Sequence, residues 1–148
     1  MIPVKQTLFG DHNGDCFRAC VASIFELQLE SIPNFCDQDE CKAENKHWMD
    51  RFNDWLRPHG LYYMEVNVKT PVQWLNFPSG YHTIGGKSPR GNFNHSVVGQ
   101  AGKPIHDPHP DNTFLDGDST CEGDPLCYGF FVMLDPSGIS WDLPRLGE

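Results

Sequence analysis

The clearest hydrophobic pattern of the chain lies near its N-terminus. Apolar side chains recur there at the spacing of one helical face, at Phe17, Cys20, Val21, Ile24 and Phe25. The pattern predicts a helix over residues 15–27, and Asp15, which follows the flexible Asn13-Gly14, is a suitable N-cap residue. Cys16 is then expected in the first helical turn.

A second helix and a change of pattern follow. A helix is predicted over residues 44–57, where four large apolar residues share one face: Trp48, Phe52, Trp55 and Leu56. Pro58 and Gly60 end this helix. Beyond Gly60, segments rich in aromatic and β-branched residues predict strands at 61–68, 81–84, 95–100, 103–106 and 128–134. Helices first and strands later predict one α+β domain over residues 1–148, with N-terminal helices packed against a C-terminal antiparallel sheet.

Composition and charge argue against several functions. The 148 residues carry 11 basic and 20 acidic side chains, a net charge of −9. Because the basic residues form no cluster, binding to nucleic acid or to an anionic membrane is not expected. The chain has no apolar run of the ~20 residues that span a bilayer, and its first residues lack the apolar segment of a signal peptide. We therefore expect a cytoplasmic protein whose cysteines are thiols.

Cys16 is the candidate nucleophile. The positive end of a helix dipole lowers the pKa of a thiol, as does a nearby imidazolium, and the predicted helix begins at this residue. Gly14, two residues earlier, is expected to leave room for a substrate carbonyl. Cys20 lies one turn later on the apolar face and is expected in the core.

His95 is the candidate base for this thiol. It opens a predicted strand after a polar loop, and Ala101-Gly102 predicts a hairpin that joins this strand to the next. In an antiparallel hairpin the start of one strand lies beside the end of the other. The spacing therefore predicts a contact in which the carboxylate of Asp107 orients the imidazole of His95.

Four segments of the chain are arranged in a characteristic order. They are Gln6-Thr7, residues 14–24, residues 95–99 (His-Ser-Val-Val-Gly) and residues 106–108 (His-Asp-Pro). In this order they resemble the papain-like cysteine peptidases. They are most similar to the peptidase domains of bacteriocin-processing transporters and to small relatives encoded by bacteriophages. The resemblance covers residues 6–35 and 82–110. It agrees with a cytoplasmic setting, which for a phage protein is the cytoplasm of the infected bacterium.

The resemblance implies a triad of Cys16, His95 and Asp107. It also implies that Gln6, together with the backbone N–H of Cys16, binds the oxyanion, and that no cofactor is needed. Gln6 precedes Cys16 by a longer gap than is usual in this family. Residues 9–12 must therefore loop out for Gln6 to reach the site, and Asn13 is the substitute donor if they do not.

The implied function is hydrolysis of a peptide or related amide bond through a thioester. Residues beside the nucleophile and the base are expected to bind the peptide or protein substrate: Asn13, Gly14, Asp15 and Asn94. The loop over residues 86–91 is a further candidate for substrate contact. Alternatives with the same fold are a deamidase, an isopeptidase or an acyltransferase, or a non-catalytic phage protein that binds a host factor. The substrate and the oligomeric state are not encoded in these motifs.

Two metal sites are weaker alternatives, and we expect neither. Zinc could be held by four cysteines, although their spacing is looser than the common Cys-x-x-Cys: Cys36, Cys41, Cys121 and Cys127. Each close pair among them could instead form a disulfide. A cluster of His95, His106 and His109 would compete with the role already given to Asp107.

Overall fold

A computed structural model describes residues 1–67, 76–116, 126–134, 144 and 147. Within these residues the α-helices are Cys16–Phe25 (α1), Gln38–Glu44 (α2) and Trp48–Leu56 (α3). The strands are Leu61–Asn67 (β1), Tyr81–Lys87 (β2), Asn94–Gln100 (β3), Lys103–His106 (β4) and Cys127–Met133 (β5). Single turns of 3₁₀ helix occupy Leu29–Ser31 and Arg57–His59. No helix in the described part of the chain is long and apolar enough to cross a membrane.

The strands form one antiparallel sheet in the order β1-β5-β2-β3-β4. Strand β5, the last of the described strands along the chain, lies between β1 and β2. The helices pack against this sheet. The predicted α+β arrangement of N-terminal helices on an antiparallel sheet is confirmed.

The apolar face of the first predicted helix is buried as its spacing indicates. Phe17, Cys20 and Val21 are each less than 5% exposed, and α1 packs on β3 and β2. The helix ends at Phe25 because Glu26 adopts a left-handed backbone conformation with φ of 58°. Burial of this face fixes the N-terminal end of α1, and thus Cys16, over the sheet.

The helix predicted over residues 44–57 is present as α3, but it begins at Trp48 and not at residue 44. Asn45 has a φ of 50° and ends α2, and α3 begins three residues later at Trp48. The carboxylate of Asp37 caps α2 by accepting from the N–H groups of Asp39 and Glu40 at 2.9 and 3.0 Å. The polar sequence of α2 carries no apolar periodicity, and its cap is therefore the only local signal.

The predicted hairpin between β3 and β4 is confirmed. Ala101 and Gly102 both have positive φ, 50° and 79°, as a two-residue type I′ turn requires. The strand β2 runs to Lys87, three residues beyond its predicted end, because it pairs with the whole of β3. Position 68, the predicted end of the first strand, lies outside the described residues.

Both faces of the sheet are covered where β2 and β3 run. On one side α1 packs on β2 and β3, and Leu61 and Tyr63 of β1 belong to the same apolar cluster as the helices. On the other side a second cluster centres on Ile84, Val97 and Tyr128. Strand β3 is thereby held between two apolar layers, which leaves its first residues at the rim of the core. His95 lies at that rim.

Candidate active site

His95 and Asp107 are in direct contact. The Nε2 atom of His95 lies 2.7 Å from Oδ1 of Asp107, and both side chains are buried. The hairpin brings the two residues together as the sequence predicts: His106, the last residue of β4, pairs with Val98, and Asp107 follows it in the direction of His95. The hairpin therefore delivers the predicted pair of an imidazole and a carboxylate.

The carboxylate of Asp107 is fully occupied. Besides His95, it accepts from the backbone N–H groups of His109 at 2.8 Å and Phe114 at 2.7 Å, and an Nη1 atom of Arg90 lies 3.5 Å away. Burial alone would raise the pKa of Asp107, but these hydrogen bonds, led by that from His95, hold it below its ordinary value. Asp107 is therefore an anion at neutral pH.

The protonation of His95 follows from this partner. An ionised carboxylate can only accept, so Nε2 carries a proton and Nδ1 is the basic ring nitrogen. Burial lowers the pKa of His95, although Asp107 acts in the opposite direction. His95 is consequently a neutral imidazole at neutral pH, with Nδ1 able to accept a proton.

Cys16 is the first residue of α1 and lines the same cavity as His95. Burial raises the pKa of the Cys16 thiol, and hydrogen bonds from the Ser96 and Phe17 backbone N–H groups and the Ser96 hydroxyl oppose this only in part. The expectation of a lowered thiol pKa is therefore wrong, because desolvation outweighs the donors at the helix start. The site holds a neutral thiol and a neutral imidazole.

Gln6 reaches this site through the loop that the long gap requires. The N–H of Asp15 donates to the carbonyl oxygen of Leu8 at 3.2 Å, and this bond closes the segment between them. Residues 9–12 form an exposed loop, as predicted, and its first two residues, Phe9 and Gly10, line the site. Gln6 is buried in the wall of a small cavity shared with Cys16 and His95. One hydrogen of its amide nitrogen goes to Leu8 O at 2.7 Å, and its Oε1 atom is buried without a hydrogen-bond partner in the described residues.

Asp15 corrects two expectations. Its carboxylate does not cap α1 but accepts from the N–H groups of Thr7 and Leu8 at 2.9 and 2.8 Å, and from the Thr7 hydroxyl at 2.9 Å. Arg18 lies 3.6 Å from the same carboxylate. These contacts make Asp15 the residue that holds the loop carrying Gln6. Because Asp15 is fully buried, it is not free to contact a substrate.

A larger cavity of about 670 Å³ extends from Cys16 across the sheet. Of the expected substrate-binding residues, Gly14 and Asn94 line it, and so do Gly86 and Lys87 from the predicted contact loop. Asn13 does not line it: this residue is exposed, and its carbonyl oxygen accepts from Asn34.

The reason for glycine at position 14 also differs from the expectation. A Cβ there would lie 2.2 Å from the carbonyl oxygen of Gly10. The space beside Gly14 is thus taken by the protein's own loop rather than by a substrate carbonyl.

Several residues of the site escape the sequence patterns. Arg90 pairs with Asp111 at 2.9 Å as well as with Asp107, and the ring of His109 lies 6.4 Å from the ring of His95. Arg90 belongs to the loop over residues 86–91, for which the sequence predicts substrate contact and not a link to Asp107, and His109 belongs to the polar run after β4. Glu65 also lines the large cavity, and it arrives there only through the pairing of β1 with β5.

The described residues contain no group of three His, Cys, Asp or Glu side chains placed to hold a metal ion. His106 is turned away from His95, and its Nε2 atom bonds the carbonyl oxygen of Val4 at 2.9 Å. The alternative zinc site requires Cys121, which lies outside the described residues. Its other three members, Cys36, Cys41 and Cys127, are free thiols.

Comparison of the chain with protein-family models, curated proteins and solved structures finds no match in any of the three. The function must therefore be argued from the geometry and chemistry of the site itself.

Proposed function

We propose that the protein is a cysteine-dependent hydrolase of papain-like type, which cleaves a peptide or related amide bond through a thioester. One observation carries the proposal. Cys16, at the start of a buried helix, shares a cavity with His95, whose Nε2 is held 2.7 Å from the buried carboxylate of Asp107. A thiol, a base and an orienting anion are the parts that nucleophilic acyl transfer needs.

Because the Cys16 thiol and the His95 imidazole are both neutral, the first step must move a proton between them. As the sulfur of Cys16 attacks the carbonyl carbon, its proton passes to Nδ1 of His95. Asp107 stabilises the imidazolium that forms, in the way a buried carboxylate stabilises a cation in contact with it. His95 then gives the proton to the departing amine, and the acyl group remains on Cys16 as a thioester.

In the second step water is the nucleophile and the sulfur of Cys16 is the leaving group. His95, again neutral, takes a proton from water as the water oxygen attacks the thioester carbon. The carbon–sulfur bond breaks, the proton returns to the sulfur, and the carboxylic acid product leaves. In both steps negative charge develops on the carbonyl oxygen, where the Cys16 N–H and the second amide hydrogen of Gln6 are the donors.

Covalent labelling tests this proposal. A peptide-like electrophile is expected to modify Cys16 before the other cysteines, and His95→Gln is expected to slow that reaction at least tenfold, since general-base assistance is lost. Peptide mapping locates the adduct, and analysis of a turned-over substrate separates cleavage from deamidation and from transfer. Cys41→Ser is the matched control, because Cys41 is a half-buried thiol that does not line the cavity with Cys16.

Two results contradict the proposal. One is equal modification of all the cysteines, and the other is a Cys16 rate that does not respond to His95→Gln in a folded variant.

A further inference from the structure

Besides the exposed Asp11, the cavity that contains Cys16 and His95 is lined by a half-buried carboxylate that the proposed chemistry does not use. Glu65 projects from β1 into this cavity and is half-buried. Its Oε1 atom accepts from the hydroxyl of Tyr63 at 2.9 Å, and that hydroxyl lies 2.7 Å from Oγ1 of Thr83. This chain of hydrogen bonds fixes the direction of the carboxylate.

Within the described residues the charge of Glu65 is not balanced by an ion pair. No Lys, Arg or His in the described part of the chain forms an ion pair with it. Lys87 lines the same cavity, but its ammonium group lies 4.0 Å from the carboxylate of Asp116. The pKa of Cys127, which lines the same cavity, is raised to about 12. Burial is the main cause, and the charge of Glu65 is the second. Glu65 thus places a negative charge beside Cys127 in the cavity wall.

The walls beside this charge are aromatic. Phe17 and Trp48 line the cavity, and their rings lie 5.4 and 6.1 Å from the ring of Tyr63, whose hydroxyl bonds Glu65. Aromatic faces attract cations and also pack against the alkyl part of long basic side chains. A half-buried carboxylate without a cation, next to two aromatic rings, is complementary to a lysine or arginine side chain.

We infer that Glu65 binds the cationic side chain of a lysine or arginine in the peptide substrate, next to the bond that Cys16 attacks. This inference rests on the proposed function for the identity of the ligand as a peptide. The cation site itself rests only on Glu65 and the cavity around it, so the two can be tested separately.

The first test measures the field in the cavity without requiring turnover. The folded protein is treated with cationic and anionic methanethiosulfonate reagents of matched size, and the labelling rates at Cys16 and Cys127 are normalised to free cysteine. The cationic reagent is expected to be favoured about tenfold or more, because a charged cleft focuses its field on the incoming reagent. Glu65→Gln, which keeps an acceptor for Tyr63, is expected to bring the ratio to within about twofold of unity.

Glu30→Gln is the matched control. Glu30 is exposed and does not line the cavity, and its loss changes the net charge by the same amount. This variant is expected to keep the cationic preference. A preference that survives Glu65→Gln, or one that Glu30→Gln removes equally, overturns the cation site.

The second test uses peptides that carry lysine or norleucine beside the bond to be cleaved. The wild-type protein is expected to favour lysine about tenfold in kcat/KM, and Glu65→Gln is expected to lose that preference. Cleavage without preference, together with labelling that ignores reagent charge, overturns the inference and leaves the proposed function standing. Charge-selective labelling without any cleavage supports the cation site and counts against the proposed function.

Discussion

The backbone N–H of Gln6 donates a hydrogen bond to the carbonyl oxygen of Pro108 at 3.0 Å. The ammonium group of Lys5 reinforces this link by donating to the carbonyl oxygen of Asp107 at 2.8 Å. The N-terminal segment is thereby fixed to the loop that holds the Asp107 carboxylate. The backbone of Gln6 thus keeps its place whichever side chain it carries.

Replacement of this side chain tests its proposed role. Because the main-chain link is retained, Gln6→Ala is expected to lower kcat about 10²-fold with little change in KM, as loss of an oxyanion donor does. Steady-state kinetics on a cleaved peptide measure both constants. Gln100→Ala, at the exposed end of β3, is the control and is expected to match the wild type. An equal loss in the two variants would assign no special role to Gln6.

The pH dependence of activity follows from the two shifted groups. The pKa of His95 lies below its ordinary value of 6.5, so the base stays deprotonated to lower pH than a free histidine would. The pKa of Cys16 lies above its ordinary value of 9.0, so the thiol keeps its proton to higher pH than a free cysteine. A profile of kcat/KM is expected to rise with a midpoint below 6.5 and to stay level to above 9.0.

The same profile separates this mechanism from a resting thiolate–imidazolium pair. Such a pair needs a protonated His95, and the thiolate itself raises the pKa of that imidazolium. Activity of the pair would therefore fall at alkaline pH as His95 loses its proton, where the neutral thiol and imidazole are expected to stay active. Alkylation of Cys16 followed against pH gives an independent measurement. Reactivity that is already maximal in acid would show that the thiolate exists there, contrary to the raised pKa.

The part of the site that could be predicted from the sequence is the part that local geometry determines. The periodicity of α1 placed Cys16 at a helix start, and a two-residue turn with its strand lengths placed Asp107 beside His95. Neither deduction needed information about distant parts of the chain. Both rest on repeat distances that are the same in every helix and hairpin.

The features of the site that could not be predicted from the sequence depend on contacts between distant segments of the chain. The pairing of β1 with β5 decides that Glu65 enters the cavity, and no local pattern records that pairing. Asp15 has the residue type of an N-cap, yet its carboxylate satisfies donors on Thr7 and Leu8 that a returning loop brings close. The sign of the thiol pKa was also missed, because burial depends on packing from every side.

A buried histidine outside the candidate site is expected to make stability sensitive to acid. His82 is fully buried, its ring stacks on Phe77, and its Nδ1 atom lies 3.2 Å from the carbonyl oxygen of Gly80 while Nε2 has no partner within the described residues. Burial lowers the pKa of His82, and the Gly80 hydrogen bond only partly opposes this. The unfolded chain therefore takes up a proton at higher pH than the folded one.

The sign of the effect is fixed by this order of protonation. The free energy of unfolding is expected to fall as pH drops below about 6.5, where the unfolded chain gains its proton, until the folded pKa is reached. His82→Leu is expected to flatten part of that slope in urea unfolding measured at several pH values. His12→Gln, which removes an exposed imidazole, is expected to keep it. If the unfolding free energy of His82→Leu fell with pH as steeply as that of the wild type, His82 would be excluded as the cause of the acid sensitivity.

The variant Asp15→Asn tests two roles of Asp15 at once: its structural contacts with the loop and the effect of its charge on the pKa of Cys16. Asp15→Asn keeps the size of the side chain but weakens its bonds to Thr7 and Leu8, and it leaves the nearby guanidinium of Arg18 without an anion. The expected cost is about 1–3 kcal/mol of unfolding free energy, as for a disturbed buried hydrogen-bond group. Because the charge of Asp15 adds to the burial that raises the pKa of Cys16, the variant is also expected to shift the alkylation profile of Cys16 to lower pH. Glu30→Gln serves again as the exposed control. A loss of stability without any shift in the alkylation profile would give Asp15 a purely structural role, and the thiol would then owe its raised pKa to burial alone.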